Sequence, residues 1–269
     1  MNSGEDKRPV VLIRGAGEMA SGIAYLVHRN SYNVCLTEIT RPLTVSRENS
    51  FSDAVFDGTK TVCDVTAVRV DADIDEIKNT WENGFVPLVI DPDASVKNIV
   101  APDIVVDAIM AKRPTGTTIN DARLVIGVGP GFYAGKDVHI VVETCDSSGN
   151  AGTLIFEGEA EADTAIPIDV GGYKSERVIW SPEDGVFTPA MRMGDRVNSG
   201  DILGYVNDTP LKAGIGGTLR GFVREGTVIK KGTKLIEIDP VYEQDVYGLI
   251  RDKIWTVGLG VVEAIKCSR

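Results

Sequence analysis

The sequence predicts an α/β fold in two parts. A Rossmann-like parallel-sheet domain comes first, and a mostly β region containing a small duplicated β module follows. Three observations carry this expectation. The apolar run Val10-Val11-Leu12-Ile13 leads straight into a glycine-rich turn and a helical stripe. Further apolar runs alternate with helical segments as far as residue 106. Residues 181–238 repeat themselves at a shift of 32 positions.

The run from Val10 to Ile13 suits a central parallel strand buried on both faces. Met19, Ile23, Leu26 and Val27 then recur at helical spacing. A second strand over 34–37 ends in Glu38, and further strands are expected over 61–70, 86–90 and 104–106. A polar helix over 74–83 is closed by Gly84, a residue that takes the left-handed conformation at a helix end without strain. Alternation of this kind means a parallel sheet with crossover helices, here assigned to residues 1–115. Cys35 and Cys63 fall within apolar strand-like runs and are expected to be buried thiols. Residues 116–180 read as a mixed β connecting region. It holds a second glycine turn, Gly127 to Lys136, between Leu124-Val125-Ile126 and a strand over 138–144, in which His139 reads as a satisfied sheet residue.

The turn after the first strand has the form Gly-x-Gly-x-x-Ala. Gly15 permits the tight turn, Gly17 lets a pyrophosphate approach the backbone, and Ala20 allows close helix–strand packing. Free N–H groups at the helix start, in the turn holding Glu18, Met19 and Ala20, would bind the anion. Glu38 lies 23 residues after Gly15, where an acid accepting ribose hydroxyls is expected. Glu18 either complements the helix dipole or selects against a diphosphate. Arg14 either compensates ligand charge or pairs with an acid at the strand end. In the second turn, Gly129 and Gly131 could present an anion-binding nest assisted by Lys136, the plainer reading being a strand-joining turn.

In the duplicated stretch Gly185 falls on Gly217, Gly194 on Gly226 and Gly200 on Gly232. Val197, Leu203 and Val206 fall on Ile229, Leu235 and Ile238. Two such halves resemble a barrel-sandwich hybrid, the module of biotin and lipoyl carriers, here placed at residues 181–240. Carriers present a lysine at the hairpin between the halves. Here the tip reads Asn207-Asp208-Thr209-Pro210 and Lys212 lies beyond it, so neither biotin nor lipoate is expected and the module reads as structural or docking. Residues 241–269 read as a C-terminal helix docking back on the sheet, with Gly258 and Gly260 marking a close approach.

Composition excludes several classes. A formal net charge of -11 repels phosphate backbones, so nucleic acid is not an expected partner. No apolar run reaches about 18 residues, so no membrane span is expected. The first nine residues lack a signal-peptide core. Four dispersed cysteines point to the cytoplasm. Two isolated histidines and no C-x-x-C pair leave no metal site and no histidine triad, and no catalytic residue is assigned. A homodimer is the default oligomer.

The ordered set of motifs carries a resemblance. Arg14 to Gly22, Thr37-Glu38 with Arg41-Pro42-Leu43, and Ser50 to Val55 come first. Ile126 to Phe132, Asp137 to Thr144, Gly171-Gly172 with Glu176-Arg177-Val178, and Gly260 to Ile265 follow. The chain resembles the accessory proteins of the selenium-dependent molybdenum hydroxylase system, related in style to xanthine dehydrogenase accessory factors. That resemblance implies a cytoplasmic maturation role for a client molybdenum hydroxylase. Such a role would involve handling its pterin cofactor or its labile sulfur or selenium ligand. Cys145 and the segment Asp146 to Asn150 depart from the Arg-Gly-His-like turn usual there. The ligand at the first glycine turn would be small and phosphate-bearing, with NAD(P) or another nucleotide as candidates. Two other readings stand beside this one: an NAD(P)-dependent oxidoreductase, and a non-catalytic scaffold with a vestigial turn.

Overall fold

The computed structural model describes residues 8–146, 149–242, 248 and 250–268. The protein is mixed α/β, with one large sheet and several smaller β sheets. It divides into two units. Met1–Thr40, Phe51–Ala162 and Arg251–Arg269 form the first, and Arg41–Ser50 with Asp163–Ile250 form the second.

The first unit holds β1 (Val10–Arg14), α1 (Glu18–Arg29), β2 (Asn33–Glu38), α2 (Ala54–Asp57), β3 (Thr59–Val62), β4 (Val65–Val70), α3 (Ile74–Glu82) and β5 (Val86–Ile90). It continues with α4 (Lys97–Val100), β6 (Ile104–Asp107), β7 (Leu124–Val128), β8 (Tyr133–Ala134), β9 (Ile140–Val142), β10 (Leu154–Ile155), β11 (Gly158–Glu159) and, last, α5 (Asp252–Cys267). Nine strands lie in the order β10-β9-β7-β6-β1-β2-β5-β4-β3. All neighbours run parallel except the outermost pairs β10–β9 and β4–β3. Between residues 116 and 162, β7, β9 and β10 thus extend the same sheet, while β8 and β11 pair as a separate two-stranded sheet. β1 is buried throughout because β2 and β6 flank it and both faces are covered. Leu12 packs with Cys35, Val105 and Val125 against Ile77 and Trp81 of α3. The Trp81 indole N–H, buried there, donates to the Val34 carbonyl at 2.7 Å.

Sequence periodicity treats 61–70 as one strand, but the chain reverses there. Cys63 takes φ 53° in the turn between β3 and β4, so a hairpin forms and Cys63 is exposed, contrary to expectation. Cys35 is buried, and burial pushes its thiol up to about 12. α5 packs along α1 and also meets β7 and β9. Two glycines allow this: a Cβ on Gly258 would stand 2.6 Å from Leu26 Cδ1, and one on Gly260 would collide with the Gly152 carbonyl.

The second unit contains β12 (Val178–Trp180), β13 (Gly185–Pro189), β14 (Arg196–Val197), β15 (Ile202–Val206), β16 (Thr209–Lys212), β17 (Gly217–Phe222), β18 (Val228–Ile229) and β19 (Lys234–Asp239). The shift of 32 carries β13, β14 and β15 onto β17, β18 and β19. Pairing obeys the same exchange: β14 pairs with β17, and its equivalent β18 pairs with β13. Each half therefore lends a short strand to the other, and neither half can close its sheet alone. Phe187, Val197, Leu203, Leu219, Ile229 and Leu235 fill the core between them, with Val45 from the 41–50 segment. Each such fully buried apolar side chain contributes about 1.5–3 kcal/mol. Lys212 ends β16 and is exposed, outside the Asn207-Asp208 tip.

Candidate functional site

The sheet reverses its direction of growth at β1. β2, β5 and β4 are added on one side, and β6, β7 and β9 on the other. In open parallel sheets the loops leaving the carboxyl ends of the strands diverge at such a point and leave a crevice. Gly15, at the end of β1, takes φ 96° and donates its N–H to the Thr37 carbonyl at 2.9 Å. A Cβ there would lie 3.2 Å from the Ala108 carbonyl oxygen and Ile109 Cα, so the turn fits tightly against the loop after β6. Gly17 is the N-cap of α1 and no side chain caps the helix. Glu18, Met19 and Ala20 form its first turn, and Ser21 N–H closes back on the Gly17 carbonyl at 2.8 Å.

Glu38 does something its spacing did not suggest. Its Oε2 accepts the Ala16 N–H at 2.8 Å and its Oε1 accepts the Ile39 N–H at 2.7 Å. The carboxylate thus ties the end of β2 to the β1–α1 turn. Burial raises its pKa above the usual value, against the opposing pull of those two backbone bonds.

Arg14 is buried, and its strand-end pairing is with an acid. Nη1 faces Asp107 Oδ2 at 3.3 Å and also bonds the Thr117 hydroxyl. Nη2 donates to the Pro92 and Thr115 carbonyls at 3.1 and 2.9 Å. Asp107 accepts in addition from the hydroxyls of Thr115 and Thr117 at 3.1 and 2.5 Å and from Ile109 N–H at 3.2 Å. Among the described residues Arg14 Nε alone of this group is buried without a partner. A guanidinium buried this deeply needs its counter-charge, and Asp107 at the end of the neighbouring strand supplies it.

Gly129 and Gly131 sit on the loop after β7, with φ 76° and 107°. Gly129 N–H bonds the Val142 carbonyl at 2.9 Å. A Cβ on Gly129 would meet Thr144 Oγ1 at 2.7 Å and Met110 Cε at 3.4 Å, and one on Gly131 would meet the Lys112–Arg113 backbone at 2.8–2.9 Å. The loop 108–117 is thus the common neighbour of Arg14, Gly15, Gly129 and Gly131. Glu38 joins the same group through Ala16. Lys136 is exposed at the tip of the β8 turn, where Asp137 accepts the Tyr133 N–H. His139 Nδ1 accepts the Val125 N–H at 3.0 Å, a sheet role.

Sequence reasoning missed Asp107, Thr115, Thr117 and Lys253. Asp107 ends an apolar run just as Glu38 ends β2, and that parallel was available. The threonines belong to an aperiodic loop and carried no signal. Lys253, in the first turn of α5, is held below the usual lysine range by burial, with Lys112 adding to the effect and Asp146, Cys145 and Glu143 opposing it. Among the described residues no cluster of three or more His, Cys, Asp or Glu could hold a metal, and no helix is long and apolar enough to cross a membrane.

The chain matches no protein-family model. It is 37% identical over 257 residues to the uncharacterized protein YqeB of Escherichia coli (strain K12), a match covering 95% of this chain and 47% of that protein. The chain therefore spans about half the length of the curated relative it matches. Among solved structures, the product-bound ectoine utilization protein EutE (DoeB) of Ruegeria pomeroyi is 13% identical with a TM-score of 0.27, over 86% of this chain and 85% of that one. An aspartoacylase family protein of Mesorhizobium loti has the same identity, coverage and TM-score. A succinylglutamate desuccinylase/aspartoacylase of Rhodobacter sphaeroides is 18% identical with a TM-score of 0.24, over 26% of this chain and 24% of that one. Superpositions this loose assign no activity to this chain.

These comparisons overturn the assignment expected from the motif resemblance. The relative is described only as uncharacterized and carries no designation as a molybdenum hydroxylase accessory protein. The maturation role, the link to selenium, the NAD(P)-dependent oxidoreductase and the scaffold alternative are all withdrawn. The motifs of the β1–α1 and β7 turns reflect glycine geometry at strand ends, which many unrelated sheets require.

Proposed function

We propose that this protein binds a small phosphate-bearing ligand in the crevice between the carboxyl ends of β1 and β6. In this reading the first unit is a Rossmann-like domain, the second a barrel-sandwich hybrid, and the protein works in the cytoplasm. The supporting observation is the reversal of strand order at β1, which coincides with an α1 N-terminus that no side chain caps. A helix start carries orphan N–H groups and roughly half a positive charge, an arrangement that favours an oxyanion. Arg14 is neutralised by Asp107, so the attraction rests on backbone amides rather than on that guanidinium. The Ala16 N–H is taken by Glu38, so the contact set we assign is the amides of Gly17, Met19 and Ala20. Protonation of Glu38 removes a negative charge from beside the ligand and strengthens binding.

Isothermal calorimetry with inorganic diphosphate, ATP, CTP and NAD on the wild type and on Gly17→Val tests the reading. Gly17 has φ -68°, which any residue adopts, so valine there tests close ligand approach rather than backbone strain. Saturable binding that valine abolishes, with an unchanged unfolding midpoint, supports the site. Absence of binding by every phosphate compound removes it.

A further inference from the structure

We propose that the duplicated module carries a second site, which takes an acidic segment of a partner protein presenting carboxylates beside an apolar side chain. The site is an open groove of about 780 Å³, and every residue lining it belongs to the second unit. It is built from the duplication itself. One wall is the turn after β13 and the other is the turn after β17, the two positions related by the shift of 32. That shift carries Arg192 onto Arg224, so two equivalent guanidinium groups line the groove, one from each half. Arg47 adds a third from the 41–50 segment. The apolar lining is Met191, Met193 and Phe222.

Charge selects the occupant. Glu48 and Glu225 also line the groove, so three arginines against two glutamates leave a local balance of +1, in a chain whose total is -11. The groove thus carries the opposite sign to the molecule as a whole. Arginine forks match carboxylates in a two-point geometry that lysine does not offer, and arginine is enriched among residues that dominate protein interfaces. Methionine side chains are flexible and polarisable, and they adapt to varied apolar groups. An open groove with this lining suits an extended peptide better than a small molecule, which is ordinarily enclosed on most sides. The groove is lined by residues of the second unit and the crevice between β1 and β6 by residues of the first, and neither proposal depends on the other.

The test is selection of short random peptides by display on the full-length protein. Enriched peptides are then titrated by fluorescence anisotropy against wild type, Arg192→Gln, and Arg192→Gln with Arg224→Gln. The expected result is enrichment of sequences with two or more Asp or Glu beside an apolar residue. Their affinity should fall about tenfold or more in the double variant, and also with added salt. Arg192 is exposed, so its single substitution leaves the fold intact and should give a smaller loss of the same sign. Diphosphate binding should be equal in all three proteins. Failure to enrich acidic sequences, affinities indifferent to both substitutions, or equally tight binding of a bare dicarboxylate such as succinate would overturn the proposal.

Discussion

Asp107→Ala is the perturbation that bears most directly on how the strand ends are organised. Arg14 and Asp107 are 3% and 1% exposed, and the three other hydrogen bonds of the Arg14 guanidinium go to the Thr117 hydroxyl and the Pro92 and Thr115 carbonyls, with Nε unpartnered. Removing the carboxylate leaves a buried cation with neutral partners only, and strips acceptors from Thr115, Thr117 and the Ile109 N–H. Breaking one side of such a pair costs about 3–5 kcal/mol, whereas removing both sides is commonly far cheaper. The assay is urea unfolding followed through the buried indole of Trp81, which reports on the first unit. Asp107→Ala should lose about 3–5 kcal/mol, and Arg14→Met combined with it should recover at least about 1 kcal/mol through coupling of the two positions. A loss below about 1 kcal/mol for the single variant, or a double variant as unstable as the sum, would show that the pair does not hold these loops.

Three further outcomes are expected. Gly15→Ala should cost about 1–3 kcal/mol by thermal or urea unfolding, because φ 96° strains any side chain and a Cβ would press on the Ala108 carbonyl. Glu38 has a folded pKa above its ordinary value of 4.5, so the stability it contributes is complete below that value and is lost as pH rises through the folded pKa. Unfolding measured against Glu38→Gln should accordingly show the wild type losing ground as pH is raised from acid toward neutral, and a constant difference would refute the assignment. In α5, Gly→Ala ordinarily gains about 1 kcal/mol of helix propensity. At Gly260 the Gly152 carbonyl blocks the new methyl, and overpacking of about 1–3 kcal/mol should outweigh that gain. At Gly258 the obstacle is the end of the Leu26 side chain, which can rotate away, so the same change should be close to neutral in a paired unfolding experiment.

What could be read from the sequence follows from range of interaction. β1, α1 and β2 are legible because their signals are local: an apolar run, a helical stripe and glycine at a left-handed position. The duplication was legible too, since it compares the chain with itself, and its exchanged strands β14 and β18 fall on equivalent positions. The hairpin at Cys63 was not, because residues 61–70 are largely strand-forming and contain neither glycine nor proline, so the reversal rests on the two-residue turn Cys63-Asp64. The partners of Arg14 were hidden for another reason. Asp107 and Thr117 lie 93 and 103 residues away and meet it only through the order of strands in the sheet. Glu38 was singled out, but spacing alone could not say that its oxygens would turn back to the Ala16 and Ile39 amides. The groove between the two turns of the module needed the pairing of both halves before Arg192 and Arg224 could be seen to share it.

Amide shifts in the first turn of α1 test the proposed anion site most directly. Inorganic diphosphate added to isotope-labelled protein should move the N–H resonances of Gly17, Glu18, Met19 and Ala20 along one saturating curve, more strongly at lower pH, and Gly17→Val should abolish the movement. Resonances that stay still there while diphosphate is in excess, or that move only at exposed lysines elsewhere, would contradict it.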